Sequence, residues 1–193
     1  NMVHIESFFA ALKAAWVPRI VKAEGKWSLL FQQCTKEKSI PCHYLWQMTF
    51  RKVESFPAIK VFKPFYQEVI LAYNQTKCIK PFDVLSKYEI IEQPIWGNEY
   101  FRIKDICLFY KRWTTSNILY VKDLVRADGE IKSDYDLYND IERKANIVQE
   151  IYVIKNYVIN RLHKIDLSIS QYVHVRSEER RVGPVCSSWC GRV

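Results

Sequence analysis

Asp134, Asp136 and Asp140 lie within two turns of one predicted helix. Grouped carboxylates are what a polymerase or nuclease uses to hold two metal ions about 3.5–4 Å apart. The first two, however, flank the predicted helix start, where free backbone N–H groups favour negative charge without any metal. No aspartate pair follows a hydrophobic strand, and the chain contains no GxGxxG, GxxxxGKS/T, GxSxG or HExxH. His4, His43, His163 and His174 stand apart in sequence, so a histidine relay has no visible partner. The six cysteines, at 34, 42, 78, 107, 186 and 190, form no CxxC pair and read as reduced thiols. Cys34, Cys42 and His43 would make a metal site only with a fourth ligand from a distant segment. The chain is therefore expected to be noncatalytic and to need no metal or cofactor.

Binding chemistry is better represented. Aromatic and basic residues interleave at Trp16, Arg19, Lys22, Lys26 and Trp27, at Phe50, Arg51 and Lys52, and at Tyr110, Lys111, Arg112 and Trp113. Cations pair with phosphates and exposed rings stack on bases, so Arg19, Lys22, Lys26, Arg51, Lys52, Lys111 and Arg112 are the candidate nucleic-acid contacts. The plain alternative is that tryptophans at helical spacing fill a core and the lysines beside them are solvated. Trp16 is assigned to the core on this basis, and Trp27 is left open between core and stacking.

Lys and Arg number 29 against 21 Asp and Glu, a net charge of +8. The excess is uneven, 17 basic to 10 acidic over residues 1–113 but 8 to 9 over 114–175. Such a surplus favours an anionic partner, nucleic acid before membrane, while also fitting a solvated surface. No run of 18 apolar residues and no leader opens the sequence, so no membrane partner is expected and the chain reads as intracellular.

The elements that must position these residues are short helices. Ile5, Phe8, Phe9, Leu12, Ala15 and Trp16 recur at helical spacing on one face expected to lie on a core, with Pro18 ending or kinking the helix. Trp27, Leu30, Phe31 and Cys34 repeat the pattern. A third helix is predicted from Tyr44 to about Val53, and a fourth starts at Pro64 with Phe65, Val69, Ala72 and Tyr73 on one side. Residues 79–103 are the least periodic, with Tyr100 to Lys104 the one strand candidate. Asp105 to Trp113 reads as helix, Thr115 or Ser116 as the cap of a helix through Leu124, and Asp128-Gly129 as a turn. Ser133 with Asp136 makes a capping-box start. Asn146 is the expected cap of a last helix striped by Ile147, Ile151, Ile154, Val158 and Leu162.

With 49% hydrophobic residues and no 20–50-residue repeat, the prediction is a mainly α fold. It is an irregular bundle of short amphipathic helices with at most one small hairpin near 95–104. The expected organisation is a basic, aromatic-rich helical region over 1–78, a connector over 79–104, and a C-terminal helical region over 105–167 that packs on the first. Residues 168–193 form a disordered or artefactual tail in this reading, because RSEERRVG at 176–183 resembles the translation of a common sequencing adapter. The opening Asn1-Met2, soon followed by a helical pattern, is expected to lie inside a larger protein.

Ala11 to Trp27 and Gln93 to Leu137 resemble the region downstream of the polymerase in non-LTR, LINE-type retrotransposon reverse transcriptases. The resemblance covers about residues 8–165. It rests on Leu12, Lys13, Trp16, Arg19 and Trp27 in the first segment, and on Pro94, Trp96, Asn98, Tyr110, Lys111, Trp113, Asp123, Leu124 and Gly129 in the second. Asn117-Ile118 stands where the family usually has Gly-Ile. The resemblance implies a noncatalytic fragment of an RNA-directed DNA polymerase, a helical region after the thumb that helps hold template RNA or target DNA and touches the rest of the enzyme. The polymerase aspartates and the endonuclease would precede residue 1, and the parent protein would work in the nucleus or cytoplasm. The Cys/His zinc motif with which such proteins often end has no counterpart before the tail, so no zinc is carried over. The rival expectation is a free-standing all-α protein–protein interaction module.

Overall fold

A proline ring cannot donate to the carbonyl four residues back and clashes with it, so Pro18 breaks the helix at Ala14. The computed structural model, which describes residues 4–21, 26–37, 39–126, 129–141 and 146–163, has α1 over Ile5–Ala14 and α2 over Trp16–Val21. Pro18 itself sits in the first turn of α2, where its missing N–H is not needed. Then come α3 (Lys26–Glu37), α4 (Cys42–Leu45) and α5 (Pro64–Thr76), the last with Pro64 at its first position. Next are α6 (Lys87–Ile91), α7 (Lys111–Thr115), α8 (Asp134–Asp140) and α9 (Ile147–Ile154). A π-helical segment, Lys155–Ile159, joins α9 to α10 (Asn160–His163). A two-residue β1 (Arg102–Ile103) pairs antiparallel with β2 (Ile106–Cys107), Arg102 opposite Cys107. The fold is thus mainly α, with one hairpin lying slightly beyond the predicted 95–104.

One hydrophobic cluster runs from Val17 to Leu162 and includes Trp96, Trp113, Tyr44, Phe31 and Phe50, all fully enclosed. At its centre the Tyr44 hydroxyl donates to the Leu119 carbonyl at 2.9 Å and accepts from the Trp96 backbone N–H at 2.8 Å. The Trp96 indole donates to the Ile118 carbonyl at 2.8 Å, and its ring meets Trp113 and Tyr110 edge-on. The Gly97 carbonyl accepts the amides of Thr49 (2.9 Å) and Phe50 (3.1 Å). Buried Asn98 donates to the Pro94 carbonyl at 2.6 Å and accepts from Thr49 Oγ1 and the Tyr100 amide, both at 3.0 Å. The stretch 79–104 therefore carries α6 and contributes Ile90, Ile95, Trp96 and Phe101 to the core.

Several local expectations are corrected. The helix predicted over 44–53 stops at Leu45, because Thr49 and Phe50 bond to Gly97 instead of to their own helix. Residues 105–113 begin in the hairpin turn and β2, and only the stretch from Lys111 is helical. Thr115 and Ser116 close α7 instead of capping a new helix. The next element is a single 3-10 turn, Val121–Leu124, held by the Asp123 carboxylate accepting from the amides of Leu119 (2.9 Å) and Tyr120 (2.7 Å). Asn146 adopts φ +59° and makes no side-chain cap bond. The face of α1 does not enter the core: Ile5, Phe8, Phe9 and Leu12 are 71, 52, 55 and 49% exposed. Helix α1 instead lies along α5 through its other side, with Lys13 paired to Glu68 at 2.8 Å. Trp16 is half-buried, edge-on to Phe65 at 5.6 Å. The side chain of Trp27 and the tail 168–193 lie outside the described residues, as does Asp128 of the predicted turn, whose Gly129 takes φ +90°. Among the described residues no helix is long and apolar enough to cross a membrane.

Candidate nucleic-acid interface

The sequence-named cations fall on separate elements. Arg19 is exposed on α2, its guanidinium 5.4 Å from the Trp16 ring. Lys22 lies outside the described residues, and Lys26 is exposed at the start of α3. Arg51 is exposed and donates to the Lys77 carbonyl at 3.0 Å, while its backbone N–H donates to Glu99 Oε1 at 3.2 Å. Lys52 is exposed in the following turn, and Lys111 opens α7. Arg112 is half-buried against Glu150 at 3.3 Å, and Glu150 also accepts the Trp113 indole N–H at 2.8 Å. That ion pair ties α7 to α9, a structural employment for Arg112.

A denser cation cluster, not foreseen from the sequence, lies beside the hairpin. Lys80, Arg102, Lys104 and Arg161 line a cleft of about 510 Å³ together with Glu99 and Tyr100. The hairpin turn sets Lys104 there at φ +55°, and among the described residues Lys104 has no ion pair. Arg102 pairs with Glu99 Oε2 at 3.0 Å, the same carboxylate that receives the Arg51 amide, which links the sequence-named Arg51 to the cleft wall. Arg161 donates to the Tyr100 carbonyl at 2.6 Å and spreads its guanidinium 4.4 Å from the Phe82 ring. The Tyr100 hydroxyl donates to the Lys80 carbonyl at 2.5 Å. Lys80 pairs with Glu89 at 2.5 Å, and that partner, with the Ser86 hydrogen bonds, holds the Glu89 carboxyl down at about 2.

The cleft continues into a second lobe of about 470 Å³ that shares Phe82, Tyr100, Arg102 and Arg161 and adds Asn156, Tyr157 and Asn160. The π-helical segment supplies Asn156 and Tyr157; such widened turns recur at functional sites. The interleaving that singled out Tyr110-Lys111-Arg112 is also present at Tyr100-Phe101-Arg102. Arg161 carries no such local signal, because it reaches the cleft from the far end of the chain.

The other candidates resolve individually. Asp134 pairs with Lys155 at 3.2 Å and Asp140 with Lys132 at 2.8 Å. Asp136 caps α8 through Ser133 and takes Arg126 at 2.6 Å; these bonds hold its carboxyl at about 2. Cys34 and Cys42 are free thiols, and among the described residues no group of three or more His, Cys, Asp or Glu side chains is placed to hold a metal ion. An apolar groove of about 880 Å³ runs between Pro57–Val61 and the hairpin, with Lys104 and Lys111 among its walls.

No family model, curated protein or solved structure matches the chain.

Proposed function

We propose that this chain is a noncatalytic, nucleic-acid-holding helical module, of the kind that the resembled LINE-type reverse transcriptases carry after the thumb. The observation that carries the reading is the cleft, where four cations from three separate stretches of chain converge on aromatic rings. Cations that gather without full pairing to carboxylates suit a phosphate backbone. The resemblance adds support, since of its positions Trp96 meets Tyr110 and Trp113 edge-on, and Asn98 and Leu124 are buried. In this reading the parent protein is an RNA-directed DNA polymerase, and this module holds template RNA or target DNA while touching the rest of the enzyme. The individual pairing of Asp134, Asp136 and Asp140 with cations supports a noncatalytic role.

The test is fluorescence anisotropy of the purified chain with labelled RNA and DNA between about 50 and 200 mM salt. Binding that weakens steeply over that range is expected, as is no template-dependent nucleotide incorporation with Mg²⁺. Failure to bind either nucleic acid at the lower salt would overturn the reading.

One observation favours a second reading. The exposed Ile5, Phe8, Phe9 and Leu12 face of α1 suits burial against a protein, as an interaction module requires. Association through it would hardly respond to salt, so the sedimentation behaviour of the chain across the same salt range separates the two readings.

A further inference from the structure

We propose that the two-lobed cleft beside the hairpin binds a single nucleic-acid strand, with phosphate in the lobe of Lys80, Lys104 and Arg161 and a base in the lobe of Tyr157, Asn156 and Asn160. This rests on the nucleic-acid reading above and adds which form of nucleic acid is held and where.

The two lobes differ in chemistry in the way the two halves of a nucleotide differ. The first presents ammonium and guanidinium groups. Arg161 spends one N–H on the Tyr100 carbonyl, and a guanidinium carries five donors in a planar fork that matches phosphate oxygens. Lys104 stands at the tip of the hairpin with no carboxylate partner among the described residues. Among the described residues the walls of both lobes carry four cations against two carboxylates, Asp83 and Glu99; Glu99 is engaged by Arg102 and the Arg51 amide and Lys80 is paired with Glu89, so Lys104 and Arg161 are the cations that no carboxylate neutralises.

The second lobe presents Tyr157, a residue 41% exposed, and two carboxamides. Asn160 donates to Asn156 Oδ1 at 3.2 Å, and Asn156 donates to the Tyr152 carbonyl at 3.0 Å, which fixes both amides in orientation. A ring face beside oriented amides can stack a base and bond its edge. Each lobe has a volume in the range of small-ligand sites, about 300–1,000 Å³. A duplex would keep its bases stacked inside and could use the cationic lobe alone. Occupation of both lobes requires an unstacked base, hence a single strand. The 2′-hydroxyl distinguishes RNA from DNA and is left to the experiment.

The full chain is titrated with labelled oligo(U), oligo(dT) and a duplex of equal length across a salt series. Single strands are expected to bind more tightly than duplex. Y157A, at an exposed ring, should weaken single-strand binding about five- to a hundredfold, leaving the salt slope and duplex binding unchanged. K104Q should flatten the slope of log affinity against log salt by about 0.7 for single strands. R161Q should do the same. Because Arg161 also touches Tyr100 and Phe82, K104Q and Y157A, both at exposed positions, decide the matter if R161Q unfolds. Tighter oligo(U) than oligo(dT) binding with all these effects identifies RNA as the strand, and equal binding identifies either strand. Single-strand binding untouched by Y157A and K104Q would overturn the cleft assignment, and the nucleic-acid binding that persists would then belong to another surface of the chain. Duplex preference would overturn the single-strand assignment alone. No binding by the unaltered chain would overturn both.

Discussion

Gly97 takes φ +62°, and a Cβ there would lie 2.8 Å from the Met48 sulfur and 3.3 Å from its Cβ. Left-handed backbone costs a residue with a side chain about 1–2 kcal/mol, and displacing Met48 from its enclosed position adds to that. G97A is therefore expected to lose about 2–3 kcal/mol in denaturant unfolding, and an unchanged midpoint would show that Met48 yields freely. Lys77 is a second such residue. Its ammonium donates to the carbonyls of Trp46 (2.6 Å) and Met48 and to Asn74 Oδ1 (2.7 Å), while burial pulls its pKa down to about 7. K77M removes the donor and leaves two carbonyls short of a partner, so a loss of about 1–3 kcal/mol is expected by the same measurement. Asp136 gives the acid response. Its folded pKa of about 2 lies below the ordinary 3.8, so its contribution is complete above about pH 4 and is lost as pH falls through 2. The melting-temperature gap between the unaltered chain and D136N should be widest above pH 4 and close toward pH 2. A gap that holds constant across that range would show that Ser133 and Arg126 do not favour the charged form.

Helix α1 carries a regular apolar stripe and yet buries none of it. Replacing Phe8 and Phe9 by Ser should leave stability within about 0.5 kcal/mol. W16A, at a half-buried ring, should cost about 2 kcal/mol, less than the 3–5 of an enclosed tryptophan. Both are read from denaturant midpoints, and a large loss from the Phe8 and Phe9 changes would place that face inside the fold. Periodicity reports that a face is apolar, not that its partner lies in the same chain, which is why the spacing in α1 points to a core that the helix does not enter. Where the deciding physics is local, the sequence was legible. Pro64 starts α5, Ser133 with Asp136 starts α8, and the isoleucine stripe sets α9. Where it is long-range, the sequence was not. The amides of Thr49 and Phe50 go to Gly97, and α4 is cut short for that reason. The cleft was hidden for the same cause, since Lys80, Arg102 and Arg161 meet only through the tertiary fold.

Because one core joins Val17 to Leu162, the described residues should unfold as a unit. Tryptophan fluorescence and far-ultraviolet circular dichroism are expected to give coincident transitions in denaturant. Two separated transitions would show that the N-terminal helices melt apart from the Trp96 node. The π-helical segment ties this core to the cleft. Within it the adjacent Val158 and Ile159 are both buried, while Asn156 and Tyr157 line the second lobe. Successive residues of an ordinary helix sit about 100° apart, and the wider turn of 155–159 rotates less per residue, so it shifts the phase between buried Ile154 and buried Leu162. Deleting one residue from 155–159 would rotate everything beyond it by about one such step. Either Leu162 would leave the interior or Arg161 would swing away from Tyr100. The segment thus behaves as a phase adjuster, and its length, more than its composition, is the quantity that a working copy of this chain has to preserve.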